Sequence, residues 1–139
     1  MPTRTFPGRN DSLEDICDYV CEQAAAAGFD EKEIYAVELA VDEAAANIID
    51  HAYGGENKGE IECTCKVDKN EFKVVLKDQG EAFEPDLVPE PNVGTPIEKY
   101  GPGGAGLFLI NKLMDEVKFE FHEGENVLTM VKRKKHNSK

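Results

Sequence analysis

At Gly59 the spacing of apolar residues changes, and that change limits the possible architecture more than any other feature of the 139-residue chain. Upstream, Leu13, Ile16, Val20 and Ala24, and then Val37, Val41, Ala44 and Ile48, recur at helical spacing. Downstream, Ile61, Cys63, Cys65 and Val67 alternate with Glu62, Thr64 and Lys66, and Phe72, Val74 and Leu76 alternate up to Asp78. A period of two suits a strand with one buried face, so the two runs, joined by "DKN", predict an antiparallel hairpin. Val117, Phe119 and Phe121, then the turn "EGEN", then Val127, Thr129 and Val131, predict another. Between the hairpins, Leu107, Ile110, Leu113 and Met114 predict a further helix. Thr3 to Phe6 reads as a short edge strand ended by Pro7 and Gly8. Elements of this kind bury their apolar faces as an α+β, two-layer α/β sandwich. About three helices would cover one face of a mixed, mostly antiparallel sheet.

Punctuation supports these boundaries. Asn10, Asp11 and Ser12 offer capping side chains to the first helix, and Gly28 stops it. Asp30 and Glu33 form a capping-box pair for the second helix, which runs to about Tyr53. From Gly80 to Gly103 no period survives, and Pro85, Pro89, Pro91, Pro96 and Pro102 are scattered through it. So long a stretch inside a compact domain reads as a functional lid, about residues 83–103. There are no repeats and no linker, so residues 1–139 are expected to form a single domain.

Composition narrows the functional classes. Acidic residues outnumber basic ones 28 to 16, a formal charge of -12. Phosphate-backbone binding depends on Lys and Arg, so nucleic acid is not expected as a partner. The basic run from Lys132 to Lys139 reads as a solvated tail. No apolar run approaches the ~20 residues of a membrane span. The opening "MPTRTFPGRN" lacks the apolar segment of a secretory signal, so the expected location is cytoplasmic, with no membrane partner. Cys17 and Cys21, and Cys63 and Cys65, lack zinc-knuckle spacing and read as small buried thiols.

The stretch "ELAVDEAAANIIDHAY" places Glu43, Asn47 and Asp50 along one side of the second helix, with Ala36 and Ala40 on the same stripe and His51 beside it. Two readings are open. Such a stripe is either a solvated polar face or a shallow, alanine-floored groove that takes a ligand. Two other segments bear on the choice. "LKDQGEAF" puts Asp78 at a strand end with Gly80 two residues on, and "GPGGAGLFLI" puts glycines 101, 103, 104 and 106 before a helix. Free amides and the dipole at such a helix start favour phosphate. An acidic protein holding phosphate needs a cation, and Asn47 offers a neutral oxygen to Mg2+.

Together these three segments resemble the GHKL ATPase superfamily, which includes histidine kinases and gyrase and has the Bergerat fold. Glu43 and Asn47 match its N box, Asp78 and Gly80 its first glycine box, and Gly104, Gly106 and Leu107 its second. Within that group the chain looks most like the anti-sigma factor serine/threonine kinases of bacterial partner-switching systems.

The resemblance implies ATP and Mg2+ as cofactors. Asp78 would accept a hydrogen bond from the adenine amino group, and Gly80 would let the purine approach the backbone. Asn47 would ligate Mg2+. Gly103, Gly104, Ala105, Gly106 and Leu107 would hold the phosphates beneath the lid that begins at Phe83. Glu43 would be the general base toward a serine or threonine hydroxyl. Asp50, His51, Lys99 and Thr129 complete the implied nucleotide-binding set, with His51 closing the helix end rather than accepting phosphate.

The implied partners are a STAS-type anti-anti-sigma antagonist, a sigma factor and a second copy of the chain as a homodimer. One departure stands out: from Phe83 to Ile110 there is no arginine, and Lys99 is the only cation. A non-catalytic, ATP-binding regulator of a phosphatase or sigma factor is therefore the second reading.

Overall fold

The computed structural model describes residues 3–81 and 104–134. In chain order these are β1 (Thr3–Pro7), α1 (Ser12–Ala26), α2 (Glu31–Asn47), a π-helical turn (Ile48–Ala52), β2 (Glu60–Asp68), β3 (Glu71–Asp78), α3 (Gly104–Leu113), β4 (Glu116–His122) and β5 (Glu125–Arg133). No helix among the described residues is long and apolar enough to cross a membrane.

The five strands lie in the order β1-β2-β3-β5-β4. Among the described residues every pair is antiparallel, so the expected two-layer α+β sandwich is formed, and its sheet is antiparallel throughout those residues rather than mostly so. The reason is topological. The crossover from β3 through α3 delivers β4 running in the same direction as β3, but β5 returns between them, and no parallel pair forms among the described strands.

Local chemistry explains the helix ends. Asp30 accepts from the Glu33 amide at 2.8 Å while Glu33 accepts from the Asp30 amide at 2.9 Å, the reciprocal box that starts α2. At α1 the expected side-chain cap is not used. A backbone turn does the work instead, with Ser12 N on Arg9 O at 2.9 Å and Leu13 N on Asn10 O at 3.1 Å. Gly28, at φ +91, ends α1 in a conformation that costs other residues a Cβ clash.

The core lies between the helices and one face of the sheet. Phe72, Val74 and Leu76 of β3, Ile61, Cys63 and Cys65 of β2, and Leu128 and Met130 of β5 meet Ile16, Val20, Val37, Val41 and Ala44 there. The four cysteines are free thiols. Burial, reinforced by the nearby Asp42 and Glu38 carboxylates, pushes Cys17 up to about 12, and burial pushes Cys21 up to about 11. Neither is a reactive thiolate near neutrality.

Lys132 and Arg133 belong to β5 rather than to a solvated tail. Lys132 is only 6% exposed, and its ammonium donates to the Leu113 carbonyl at 2.7 Å, at the end of α3. A cation there opposes the negative end of the helix dipole. Arg133 reaches Glu71 at 2.9 Å and also pairs with Glu116. Residues 135–139 lie outside the described residues.

Candidate functional site

Three elements meet: the end of α2 with its π-turn, the end of β3, and the start of β5 across from it. On α2 and at the start of the π-turn, Val37, Val41, Ala44 and Ile48 face the core, as the periodicity predicts. Glu43 and Asn47 follow one turn apart on the same side, both half-buried. The alanine floor is not open along its whole length. Ala36 is half-buried but Ala40 is 0% exposed, because its small side chain lets α2 pack closely against its neighbours α1 and α3. The usable part of the stripe is the turn from Glu43 to Asn47.

Asn47 carries the least expected feature. Its amide nitrogen is enclosed and has no hydrogen-bond partner. An enclosed donor without an acceptor costs about 1–3 kcal/mol. After Asn47 the helix widens into the π-turn, with Tyr53 N bonded to Ile48 O at 2.9 Å. Hydrogen bonds spanning five residues break the four-residue alignment of Glu43, Asn47 and His51. Asp50 and His51 are both exposed, and the structure does not bring them to the enclosed amide.

The π-turn is locked to the sheet. The Tyr53 hydroxyl donates to Glu60 O at 2.6 Å and accepts from Gln79 N at 2.9 Å. Glu81 N donates to Ala52 O at 2.8 Å. A Cβ on Gly80 would lie 2.4 Å from that same oxygen. Glycine is therefore needed at position 80 for the end of β3 to meet the end of the helix.

Asp78, the last residue of β3, is 4% exposed. Its Oδ1 accepts from Gly80 N at 2.8 Å and from Asn126 Nδ2 at 2.9 Å. Burial pushes its carboxyl above the usual carboxylate range, and these two bonds pull the other way. Among the described residues no donor reaches Oδ2.

Thr129 is not part of this cluster. On β5 the inward positions are Asn126, Leu128 and Met130, so Thr129, opposite Val75, stands on the sheet's other face. The β-branched set Val127, Thr129 and Val131 reads as the buried one in sequence; in the structure Val127 and Thr129 are only half-buried and Val131 alone of the three is buried. Asn126, directly opposite Asp78, holds the polar position instead. Asn126 and Tyr53 are the residues that sequence reasoning missed. The available signal was an asparagine in phase with Leu128 and Met130. Phe83, Lys99 and Gly103 lie outside the described residues. Gly104, Ala105, Gly106 and Leu107 form the first turn of α3.

A model of the histidine kinase-like ATPase domain matches residues 6–132. The chain belongs to the histidine kinase-like ATPase family. A Bacillus velezensis relative, the serine-protein kinase RsbW, is 36% identical over 109 residues, covering 75% of this chain and 68% of the relative. A Listeria monocytogenes protein of the same name is 36% identical over 109 residues, covering 76% and 69%. Among solved structures, the RsbU and RsbW domains of a Mycobacterium tuberculosis protein match at a TM-score of 0.67 and 17% identity, covering 96% of this chain and 32% of that one. That likeness shows the shared fold: three helices on an open antiparallel sheet of five strands.

A histidine kinase-like ATPase has to hold a nucleotide, and the residues in place suit one. Asp78 offers an acceptor at the sheet end, and the start of α3 offers amides with a favourable dipole. Asn47 offers an amide that presents nitrogen to a phosphate oxygen or, turned over, oxygen to a cation. Among the described residues no group of three or more His, Cys, Asp or Glu side chains is placed to hold a metal. A single amide oxygen is nevertheless a fitting contribution for Mg2+, which keeps waters and substrate phosphates as its other ligands.

Proposed function

We propose that this chain is a cytoplasmic, ATP-dependent protein-serine/threonine kinase and anti-sigma factor. It would phosphorylate a STAS-type anti-anti-sigma antagonist and sequester a sigma factor, working as a homodimer. The observation that carries this reading is the pair Glu43 and Asn47, one helical turn apart, with the Asn47 amide nitrogen enclosed and unpaired. An amide held in that state lacks the partner that a bound phosphate or hydrated cation supplies. The kinase names of the relatives support the same direction.

In this reading Oδ2 of Asp78 accepts from the adenine amino group, and the amides of residues 103–107 hold the phosphates. Asn47 would be the protein's ligand to Mg2+, which when bound would supply charge neutralisation at the terminal phosphates. Glu43 takes the proton of the substrate hydroxyl as that oxygen bonds to the terminal phosphorus. The bond to the bridging oxygen breaks, and ADP leaves with its electron pair. Phosphoryl transfer asks a protein for little beyond positioning, charge neutralisation and a proton acceptor. Asp50, His51, Phe83 and Lys99 are assigned to the rim around the phosphates.

The test is direct. Incubation with Mg-ATP and its antagonist should place label on serine or threonine, and Glu43→Gln should stop transfer while ATP still binds. Failure to label under any nucleotide condition would reject the kinase. A non-catalytic regulator is favoured by one feature, the absence of arginine from residues 83–110. Lys99 is a point charge without the bidentate fork. Under that reading Glu43→Gln leaves partner regulation unchanged.

A further inference from the structure

We propose that Asn126 is the positioning residue that makes this site select adenine. By holding Oδ1 of Asp78 it leaves one carboxylate oxygen, Oδ2, facing the base, suited to a purine amino group and unsuited to a purine oxygen. This rests on the nucleotide reading above and concerns a residue that the sequence motifs do not contain.

The geometry is specific. Asp78 and Asn126 are directly opposed across β3 and β5, and both are buried, at 4% and 8% exposure. The Asn126 amide nitrogen spends both of its hydrogens, on Asp78 Oδ1 at 2.9 Å and on the Glu81 carbonyl at 2.7 Å. With Gly80 N also on Oδ1 at 2.8 Å, that oxygen is doubly engaged and the carboxylate cannot rotate without losing two bonds. Asn126 is also a neutral donor. An arginine in its place would cancel the charge that distinguishes an amino group from an oxygen. Two facing acceptors leave both unpaired in a dry site, a penalty that hydrogen-bonding sites use for strong discrimination.

The surroundings make the asparagine necessary. β5 presents Asn126, the turn presents Gly80 N, and the helix end reaches the strand end through Tyr53 on Gln79. Among the described residues no charged side chain opposes the burial of Asp78. Without Asn126 the carboxyl would hold its proton to higher pH. A protonated carboxyl donates, and so pairs with a purine oxygen instead.

Calorimetric titration of Mg-ATP and Mg-GTP across pH 6 to 8.5 tests this with wild type, Asn126→Leu and Asn126→Ser. Wild type should prefer ATP. The leucine variant should lose ATP affinity by about 10-fold or more, keep or improve GTP affinity, and lose ATP binding at a higher pH than wild type. The serine variant, with one hydroxyl donor, should fall between. Equal losses for both nucleotides with an unmoved pH midpoint would reduce Asn126 to scaffold and overturn the proposal, as would an unchanged ATP affinity. If the leucine variant does not fold, the serine variant decides on the same readouts. A wild type that binds ATP and GTP equally overturns this inference and spares the kinase. A wild type that binds neither overturns both.

Discussion

The two polar parts of the candidate site are built in opposite ways. At the strand end, Asp78 is buried, its Oδ1 is bonded twice, and the residue that holds it is itself tied to the Glu81 carbonyl. At the helix end, the side chains of Glu43 and Asn47 make no hydrogen bond or ion pair among the described residues, and one amide nitrogen is left enclosed and unsatisfied. Among the described residues the first end is anchored by its own bonds, with only Oδ2 of Asp78 left open, while the second has no such anchor. A site arranged like this recognises with its rigid part and keeps its unsatisfied groups for the part where charge and protons move.

Four substitutions can break or sharpen that contrast. The largest effect belongs to Glu43→Gln. Phosphoryl transfer should fall by about 10³-fold while the dissociation constant for ATP stays within about twofold, measured by labelling and calorimetry. A parallel loss of ATP binding would show that the two ends are not separate. Next, Gly80→Ala should cost about 3 kcal/mol of folding stability, because its Cβ would fall 2.4 Å from the Ala52 oxygen. Thermal denaturation at the wild-type midpoint would mean that the helix–strand junction yields.

Asp78→Asn should weaken ATP by about 10- to 100-fold and raise the melting temperature at neutral pH. The sign follows from burial. The folded pKa lies above the unfolded one, so this group's contribution to stability is fullest below the unfolded pKa. It declines as pH rises through the folded pKa. The asparagine variant lacks that decline, so its advantage should appear at neutral pH and close in acid. An advantage that grew in acid would contradict the buried, uncompensated carboxylate. The smallest effect is on the empty protein: Asn47→Leu should gain about 1 kcal/mol by removing the unpaired amide, yet lose Mg-ATP. A loss of stability instead would mean that the amide is satisfied in solution.

Much of this was legible because strong local rules and burial agree. The Asp30–Glu33 box starts α2 where the residue types require it. The alternation of Phe72, Val74 and Leu76 sets β3 and delivers Asp78 to the inward face. On β5 the rule failed because both phases are half apolar, and the β-branched set looked more like a core than Asn126, Leu128 and Met130 do. Only pairing with β3 resolves the choice, and register is not written locally. The π-turn was equally hidden, since "IIDHA" suits an ordinary helix and the wider turn is imposed by the bonds of Tyr53 and Ala52 to the sheet. Ala40 misled for a related reason: a small residue marks either a shallow surface or a close approach of helices, and sequence does not say which.

Lys132 sets a limit on where the folding unit can stop. Its methylene stem lies among buried side chains and its charge rests on the last carbonyl of α3, so the closing strand fastens the helix whose first turn holds the glycines. Trimming the chain back past this lysine would release a cation that the helix end relies on. The loosening would reach the opposite tip of α3, ten residues of rigid rod away.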